Sequence, residues 1–116
     1  MIEKRKFIRL KAPIGVAYKL VKKNVRPRTY ASFSKDIGGG GVRIFVKEEL
    51  RSGDLLELQI RIPHLEEPIR AIGEVMWYAV SKDRANETRE AGVRFRDIDP
   101  GDLHAILEFV HTVGIG

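Results

Sequence analysis

A chain of 116 residues accommodates one ordinary domain and leaves no room for two. Hydrophobic residues make up 43% and charged residues 32%, a balance that builds a core and excludes a disordered chain. The sequence has no cysteine, which excludes disulfides and thiolate zinc sites, and its net charge of +5 favours an anionic partner.

The N-terminus carries a basic segment with no regular hydrophobic pattern. Its five basic side chains are Lys4, Arg5, Lys6, Arg9 and Lys11. We predict a basic arm over residues 1–12 and a single folded domain over residues 13–116. No apolar stretch is typical of an export signal or a membrane span, so a cytoplasmic protein without a membrane partner is expected.

Hydrophobic residues that alternate with polar ones predict six short β-strands after the arm. The candidate strands are centred on residues 16–20, 28–36, 42–46, 56–62, 69–80 and 93–95. Gly73 lies inside the longest apolar stretch and indicates a bend or a bulge. Residues 81–90 are polar almost throughout, which predicts a hairpin loop.

Only the C-terminal segment has helical periodicity. Asp99 is a suitable N-cap, Pro100 suits the first helical position, and Asp102 complements the helix dipole. Four apolar residues then share one helix face and predict core packing: Leu103, Ile106, Leu107 and Val110. These elements together predict a mainly β domain, a small antiparallel barrel or sandwich with a closing helix.

Two arginines four residues apart form the first candidate ligand-binding group. Arg5 and Arg9 flank Lys6 in the basic arm. Each guanidinium can bind a phosphate bidentately, donate to the edge of a guanine or stack on a base. Basic N-terminal arms are more often solvated tails, so the pattern alone is only a weak indication of a ligand-binding group.

The second candidate is the glycine-rich segment from Asp36 to Gly41. A carboxylate such as Asp36 can accept the paired N–H donors on the Watson–Crick edge of guanine. Glycines let the backbone approach a flat ligand or a phosphate closely. The same residues are also typical of a flexible hairpin turn.

Taken in their order along the chain, these segments resemble the PilZ domain family. That family carries an RxxxR motif on an N-terminal arm and a D/N-x-S-x-x-G motif after the next strand. Arg5 and Arg9 match the first motif, and Lys6 stands where a further Arg is common. Asp36 and Gly41 match the ends of the second. The resemblance covers nearly the whole chain and includes residues 41–44, 53–58, 73–77 and 91–95.

The resemblance implies a six-stranded antiparallel β-barrel with a C-terminal helix and cyclic di-GMP as the ligand. It gives Arg5, Lys6 and Arg9 the task of holding phosphates and guanine bases. It also implies that Asp36 fixes a guanine and that Gly41 keeps the turn tight. Trp77 is placed to flank the ligand from the barrel surface, or else to serve as a half-buried strand aromatic.

Gly38 departs from the family, because it occupies the position of the motif serine. The loss of one hydroxyl hydrogen bond predicts binding that is weakened, by up to about tenfold, rather than abolished. The alternative is a PilZ-fold adaptor that binds no nucleotide and acts through protein contacts in motility or pilus function.

No pattern for catalysis or for a cofactor is present, so an enzyme and a metal site are not expected. His104, Glu108 and His111 share one helix face but lack a further ligand and are predicted to be surface residues.

A basic barrel for single-stranded nucleic acid is the other alternative, but aromatic residues are only 8% of the chain and no nucleic-acid partner is expected. The expected partners are cyclic di-GMP and an unidentified protein effector in bacterial motility or biofilm signalling.

Overall fold

The computed structural model describes residues 8–24 and 26–115, with the side chains of all of these except Ile115. Seven strands precede a single long helix. The elements are β1 (Arg9–Leu10), β2 (Gly15–Val21), β3 (Thr29–Gly38), β4 (Gly41–Phe45), β5 (Leu55–Ile60), β6 (Ile69–Asp83), β7 (Asn86–Ile98) and α1 (Pro100–Ile115). In this described part, no helix is long and apolar enough to cross a membrane.

Six of the strands close into an antiparallel barrel. The sheet runs in the order β3-β2-β5-β6-β7-β4, and a further pairing between β3 and β4 joins its two ends. Closure satisfies the backbone groups of the strands that would otherwise form the edges. The predicted barrel with a C-terminal helix is therefore confirmed, and the sandwich alternative is wrong.

The chain enters the barrel along a single edge of β3. β1 pairs Arg9 with Gly38, and β2 pairs Gly15 with Phe33 further along the same strand. Residues 11–14, which include Pro13, interrupt the pairing because proline has no amide hydrogen to donate. The buried Ser34 hydroxyl bridges this gap, since it accepts from the Ile14 amide at 3.0 Å and donates to the Ala12 carbonyl at 2.7 Å.

Alternating side chains of the strands fill the barrel interior. Its most completely buried members are Tyr18, Ile37, Ile44, Leu56, Leu58, Ile60 and Val75. The hydroxyl of Tyr18 accepts a hydrogen bond from the Lys47 amide at 2.9 Å, so the ring is buried without an unsatisfied oxygen. Burial nevertheless raises the pKa of Tyr18 to about 12, because the phenolate would be desolvated.

The C-terminal helix closes one side of the barrel, as predicted. The Asp99 carboxylate accepts from the Gly101 amide at 3.0 Å and caps the first turn. Ile106 and Val110 are buried against the core. The other two residues predicted for the core face are exceptions: Leu103 is half-buried and lies outside the core cluster, and Leu107 is 45% exposed and only partly covers Gly39 of the β3–β4 turn.

The predicted loop over residues 81–90 is wrong, because these residues extend the β6–β7 hairpin. Register pairs continue to Asp83 and Asn86, which leaves only Arg84 and Ala85 in the turn. Residues 79–88 are all exposed. With neither face of the hairpin against the core, no hydrophobic alternation is needed, and the usual sequence signal of a strand is missing.

Candidate functional site

A row of side chains crosses four neighbouring strands on the outer face of the barrel. Trp77 on β6 pairs with Gly92 on β7, Gly92 pairs with Arg43 on β4, and Arg43 pairs with Asp36 on β3. Paired residues in a sheet point to the same face. The register therefore brings an indole, a guanidinium and a carboxylate onto one surface.

Two β-bulges turn two of these side chains outward. The register of β3 shifts between Ser34 and Asp36, and that of β6 shifts between Val75 and Trp77. Without the extra residue, strict alternation would direct Asp36 and Trp77 to the same face as the buried Ser34 and Val75. The bulges are thus the local devices that place both side chains in the outer row.

Arg9 reaches this row from β1. The pairing of Arg9 with Gly38 fixes the position of its backbone next to β3. Its Nε lies 2.7 Å from Asp36 Oδ1. Its Nη2 lies 2.6 Å from the same oxygen and 3.5 Å from the Gly41 carbonyl oxygen. The guanidinium is held over the β3–β4 turn, and 40% of the side chain stays exposed.

Asp36 is a buried carboxylate between two arginines. Only 3% of its side chain is exposed. Arg9 donates to Oδ1, and Arg43 Nη2 donates to Oδ2. A buried carboxylate needs such charged partners, since an isolated one would be strongly disfavoured in the interior.

These side chains line a cavity of about 460 Å³ on the outer surface. Its walls are Arg9, Asp36, Gly40, Gly41, Val42, Arg43, Met76, Trp77, Gly92, Val93 and Arg94. The cavity lining includes three arginines and a single carboxylate, that of Asp36, and Arg94 is paired with Glu74 at 3.0 Å. The cavity combines positive charge with an exposed indole, which suits a ligand that has both phosphates and flat rings.

Glycines shape the cavity by allowing close backbone approach. A Cβ at Gly41 would lie 2.0 Å from the Val93 carbonyl oxygen, and one at Gly92 would lie 2.2 Å from the Trp77 indole nitrogen. Gly53 is the glycine with positive φ in the described chain, so the glycines of the β3–β4 turn adopt φ values open to other residues. Gly41 is needed for contact with β7, while the predicted hairpin turn itself is confirmed.

Four of the seven residues predicted for the site meet in this cavity: Arg9, Asp36, Gly41 and Trp77. Gly38 lies behind them, where a Cβ would be 2.9 Å from the Ile8 carbonyl oxygen and 3.3 Å from Arg9 Cγ. Arg5 and Lys6 lie outside the described residues. The boundary predicted at residue 12 stays a prediction, although Arg9 and Leu10 already pair with β3.

Sequence reasoning missed Arg43, Met76, Gly92 and Arg94. The signal for Arg43 was present, because it alternates with the buried Val42 and Ile44 and so had to point outward. Its partner Asp36 could not be identified in the same way. The bulge in β3 shifts the alternation, so the sequence does not show to which face of the sheet Asp36 points.

A second groove, of about 630 Å³, lies between Ile8 and α1. It is lined by Ile8, His104, Leu107, Glu108, Val110, His111 and Thr112 and contains no arginine or lysine. His104 and Glu108 are largely exposed and 3.4 Å apart, in line with the predicted surface positions. No cluster of metal-binding side chains occurs within residues 8–24 and 26–115. The arginine-lined cavity is therefore the candidate site for an anion.

Fold and cavity together define a small closed β-barrel with an arginine-lined cavity on its outer surface. The PilZ domain profile matches residues 3–112, and the chain belongs to the PilZ domain family. No curated protein sequence matches the chain.

Solved structures with the same fold include three that cover most of this chain. The Bacillus subtilis inhibitor of motility MotI (DgrA) is 22% identical with a TM-score of 0.72, over 93% of this chain and 50% of its own. The PilZ domain of Escherichia coli YcgR with c-di-GMP is 15% identical with a TM-score of 0.69, and the match covers 92% of this chain and 88% of the YcgR domain. MrkH from K. pneumonia is 18% identical with a TM-score of 0.75, and the match covers 95% of this chain and 49% of MrkH. The chain thus spans about half the length of MotI and MrkH.

Proposed function

We propose that this protein is a receptor for cyclic di-GMP that binds the dinucleotide in the arginine-lined cavity and does no chemistry on it. The observation that carries the proposal is the convergence of Arg9, Asp36, Gly41 and Trp77 from four separate strands. Membership of the PilZ family and the c-di-GMP complex of the YcgR domain support the choice of ligand.

The groups around the cavity match the chemistry of this ligand. Guanidinium groups form charge-assisted hydrogen bonds to phosphate and stack on bases, which suits Arg9 and the predicted contributions of Arg5 and Lys6. The exposed face of Trp77 offers a second stacking surface, supported from below by Gly92. Binding would pass a signal to a protein effector through the changed surface of the arm and cavity.

Gly38 affects the proposed affinity in two ways. It lacks the hydroxyl of the family serine, and it lets the Ile8 backbone and Arg9 side chain lie against β3. The second effect favours the arm position seen here, in which Arg9 reaches Asp36. We expect the net loss of affinity to stay within about tenfold.

Calorimetric titration with cyclic di-GMP tests the proposal. We expect saturable binding by the wild-type chain and a loss of at least about tenfold in Arg9→Ala, because a charge-assisted contact is removed. Lys11→Ala is the matched control, since Lys11 is an exposed basic residue of the same segment that does not line the cavity. Equal affinity of all three chains, or no binding by any, would contradict the proposed site.

A second candidate is a protein-binding adaptor without a nucleotide, and the observation that favours it is the missing hydroxyl at Gly38. The melting temperature discriminates between the two functions. A ligand that binds only the folded chain stabilises it by about 2.7 kcal/mol at a concentration 100 times the Kd. No rise in melting temperature at saturating cyclic di-GMP would favour the adaptor.

A further inference from the structure

The β6–β7 hairpin extends beyond the barrel as a two-stranded ribbon. β5 pairs with β6 only as far as Glu74, and the Gly53 amide donates to the Val75 carbonyl at 2.7 Å. From residue 77 to Asp83, β6 pairs with β7 and with no other strand in the described part of the chain. Two strands alone are marginally stable in water, and further strands stabilise them. The ribbon therefore lacks a neighbour along its β6 edge.

The register shows which backbone groups point out of this edge. The Val46 amide donates to the Arg89 carbonyl at 2.8 Å, so the backbone groups of Arg89 point to β4 and away from β6. In an antiparallel pair, the N–H and C=O of one residue point to the same side, and the side alternates along the strand. Val80, the register partner of Arg89, therefore directs both groups away from β7. Tyr78 and Lys82, two residues to either side, do the same.

This edge lacks the features by which strand edges usually avoid pairing. Natural edges carry proline, central charges or a bulge. Residues 77–81 contain no proline and no charged residue, and Val80 is 46% exposed. The bulge of β6 lies between Val75 and Trp77, before the open edge begins. Tryptophan, tyrosine and valine are also strong strand formers. The edge is thus suited to pairing with another strand.

The same segment of a second copy fits this edge. When two β6 strands pair antiparallel with Val80 on the two-fold axis, Lys82 of each copy faces Tyr78 of the other, and Asp83 faces Trp77. No like charges lie opposite each other, and the lysine meets an aromatic side chain. The outward groups of Tyr78, Val80 and Lys82 in both copies then form about six backbone hydrogen bonds. The edge is complementary to itself in both charge and hydrogen bonding.

We propose that this protein forms a two-fold dimer through residues 77–83 of β6, which joins the two hairpins into one four-stranded antiparallel sheet. The interface is a single strand pair, so the dimer is weak and forms at high protein concentration. The inference concerns how the chain assembles and is independent of the ligand proposed for the arginine-lined cavity.

Sedimentation velocity of the whole chain tests the self-association. We expect the mean mass to rise reversibly from that of a monomer toward that of a dimer between about 10 and 500 μM protein. A wild-type chain that stays monomeric over this range overturns the proposal. The measurement is made without cyclic di-GMP, so its outcome does not depend on the proposed receptor function.

Two substitutions at one position locate the interface. Val80→Pro removes an amide hydrogen that points out of the edge, without taking a hydrogen bond from β7, and should weaken the dimer by at least about tenfold. Val80→Thr keeps the amide and a strong strand former and is the matched control, with an expected change of less than about threefold. Equal dissociation constants for the two variants would overturn pairing through this edge. A melting curve of each variant verifies the fold.

An exchange of charges tests the two-fold register. Val80→Lys and Val80→Glu each place like charges opposite each other on the axis, so each variant alone should be monomeric. An equimolar mixture should dimerise, because lysine then faces glutamate. A mixture that stays monomeric although both variants melt like the wild type overturns the register. If Val80→Lys does not fold beside Arg89, the proline and threonine variants decide the proposal.

Discussion

Gly40 and Gly41 are neighbours in the site, but the space around their α-carbons is very different. A Cβ at Gly41 would lie 2.0 Å from the Val93 carbonyl oxygen, whereas a Cβ at Gly40 would meet nothing within 4 Å. We predict that Gly41→Ala lowers the free energy of unfolding by about 1–3 kcal/mol, because β4 must move away from β7. Gly40→Ala should stay within about 0.5 kcal/mol of the wild type. Urea denaturation of both variants checks this, and equal effects would contradict it.

Partial burial of the Glu48 carboxyl makes the free energy of unfolding depend on pH in a predictable direction. Burial raises the pKa of its carboxyl, Arg28 counteracts this and Asp54 adds to it. Its Oε1 is buried and has no hydrogen-bond partner among the described residues. The folded chain therefore holds this proton more tightly than the unfolded chain, and folding becomes less favourable as the pH rises above about 4.5.

Replacement of Glu48 should remove this pH dependence. We predict that Glu48→Gln has a higher free energy of unfolding than the wild type at pH 7, and that the two converge as the pH is lowered below about 4.5. Denaturant titrations at a series of pH values measure the difference. Glu49→Gln removes the same charge from an exposed neighbour and is the control. A gain that persists unchanged at low pH would contradict the explanation.

At the scale of elements, the turn of the β6–β7 hairpin is strained at one residue. Arg84 has a φ of 60°, which is a costly conformation for a residue with a side chain, and Ala85 beside it does not share it. We predict that Arg84→Gly raises the free energy of unfolding by about 1 kcal/mol. Ala85→Gly should lower it slightly, because it only adds freedom to the unfolded chain. Thermal unfolding of both variants tests this difference in sign.

Much of the secondary structure could be predicted from alternation and helix capping, but the orientation of two site residues could not. The pattern located the strands around Val16, Ile44 and Leu58 and the helix that begins after Asp99. It could not show that Asp36 and Trp77 point to the outer face of the barrel, because each follows a bulge that shifts the alternation of inward and outward side chains in its strand. A bulge is set by contacts between strands, which leave little trace in the local sequence.

Only part of the candidate site could be predicted from the sequence. Arg9, Asp36 and Gly41 were identified through the family resemblance, since each motif alone is too short to be specific. The glycine at position 41 was expected to keep a turn tight, and the close contact with β7 that it also permits was not expected. The pairing of Asp36 with Arg43 depends on register, which alternation within a single strand cannot provide.

At the scale of the whole molecule, binding should change the protection of the basic arm. Arg5 and Arg9 would both contact the dinucleotide, so we predict slower amide exchange of residues 4–11 when cyclic di-GMP is added. The exposed hairpin end at residues 82–87 is the internal control and should not change. Hydrogen exchange followed by mass spectrometry measures both segments. Unchanged exchange in residues 4–11 despite saturable binding would contradict closure of the arm on the ligand.

The pairing of β4 with β7 also determines when the site appears during folding. Gly41 and Arg94 are register partners although more than 50 residues separate them, and this contact completes the barrel. Pairings between distant segments form slowly because a long loop must close before they gain any contacts. Asp36 and Arg43 lie on one side of this junction and Trp77 and Gly92 on the other. A newly synthesised chain would therefore complete the arginine-lined cavity only when β4 meets β7, and we expect incompletely folded molecules not to bind the proposed ligand.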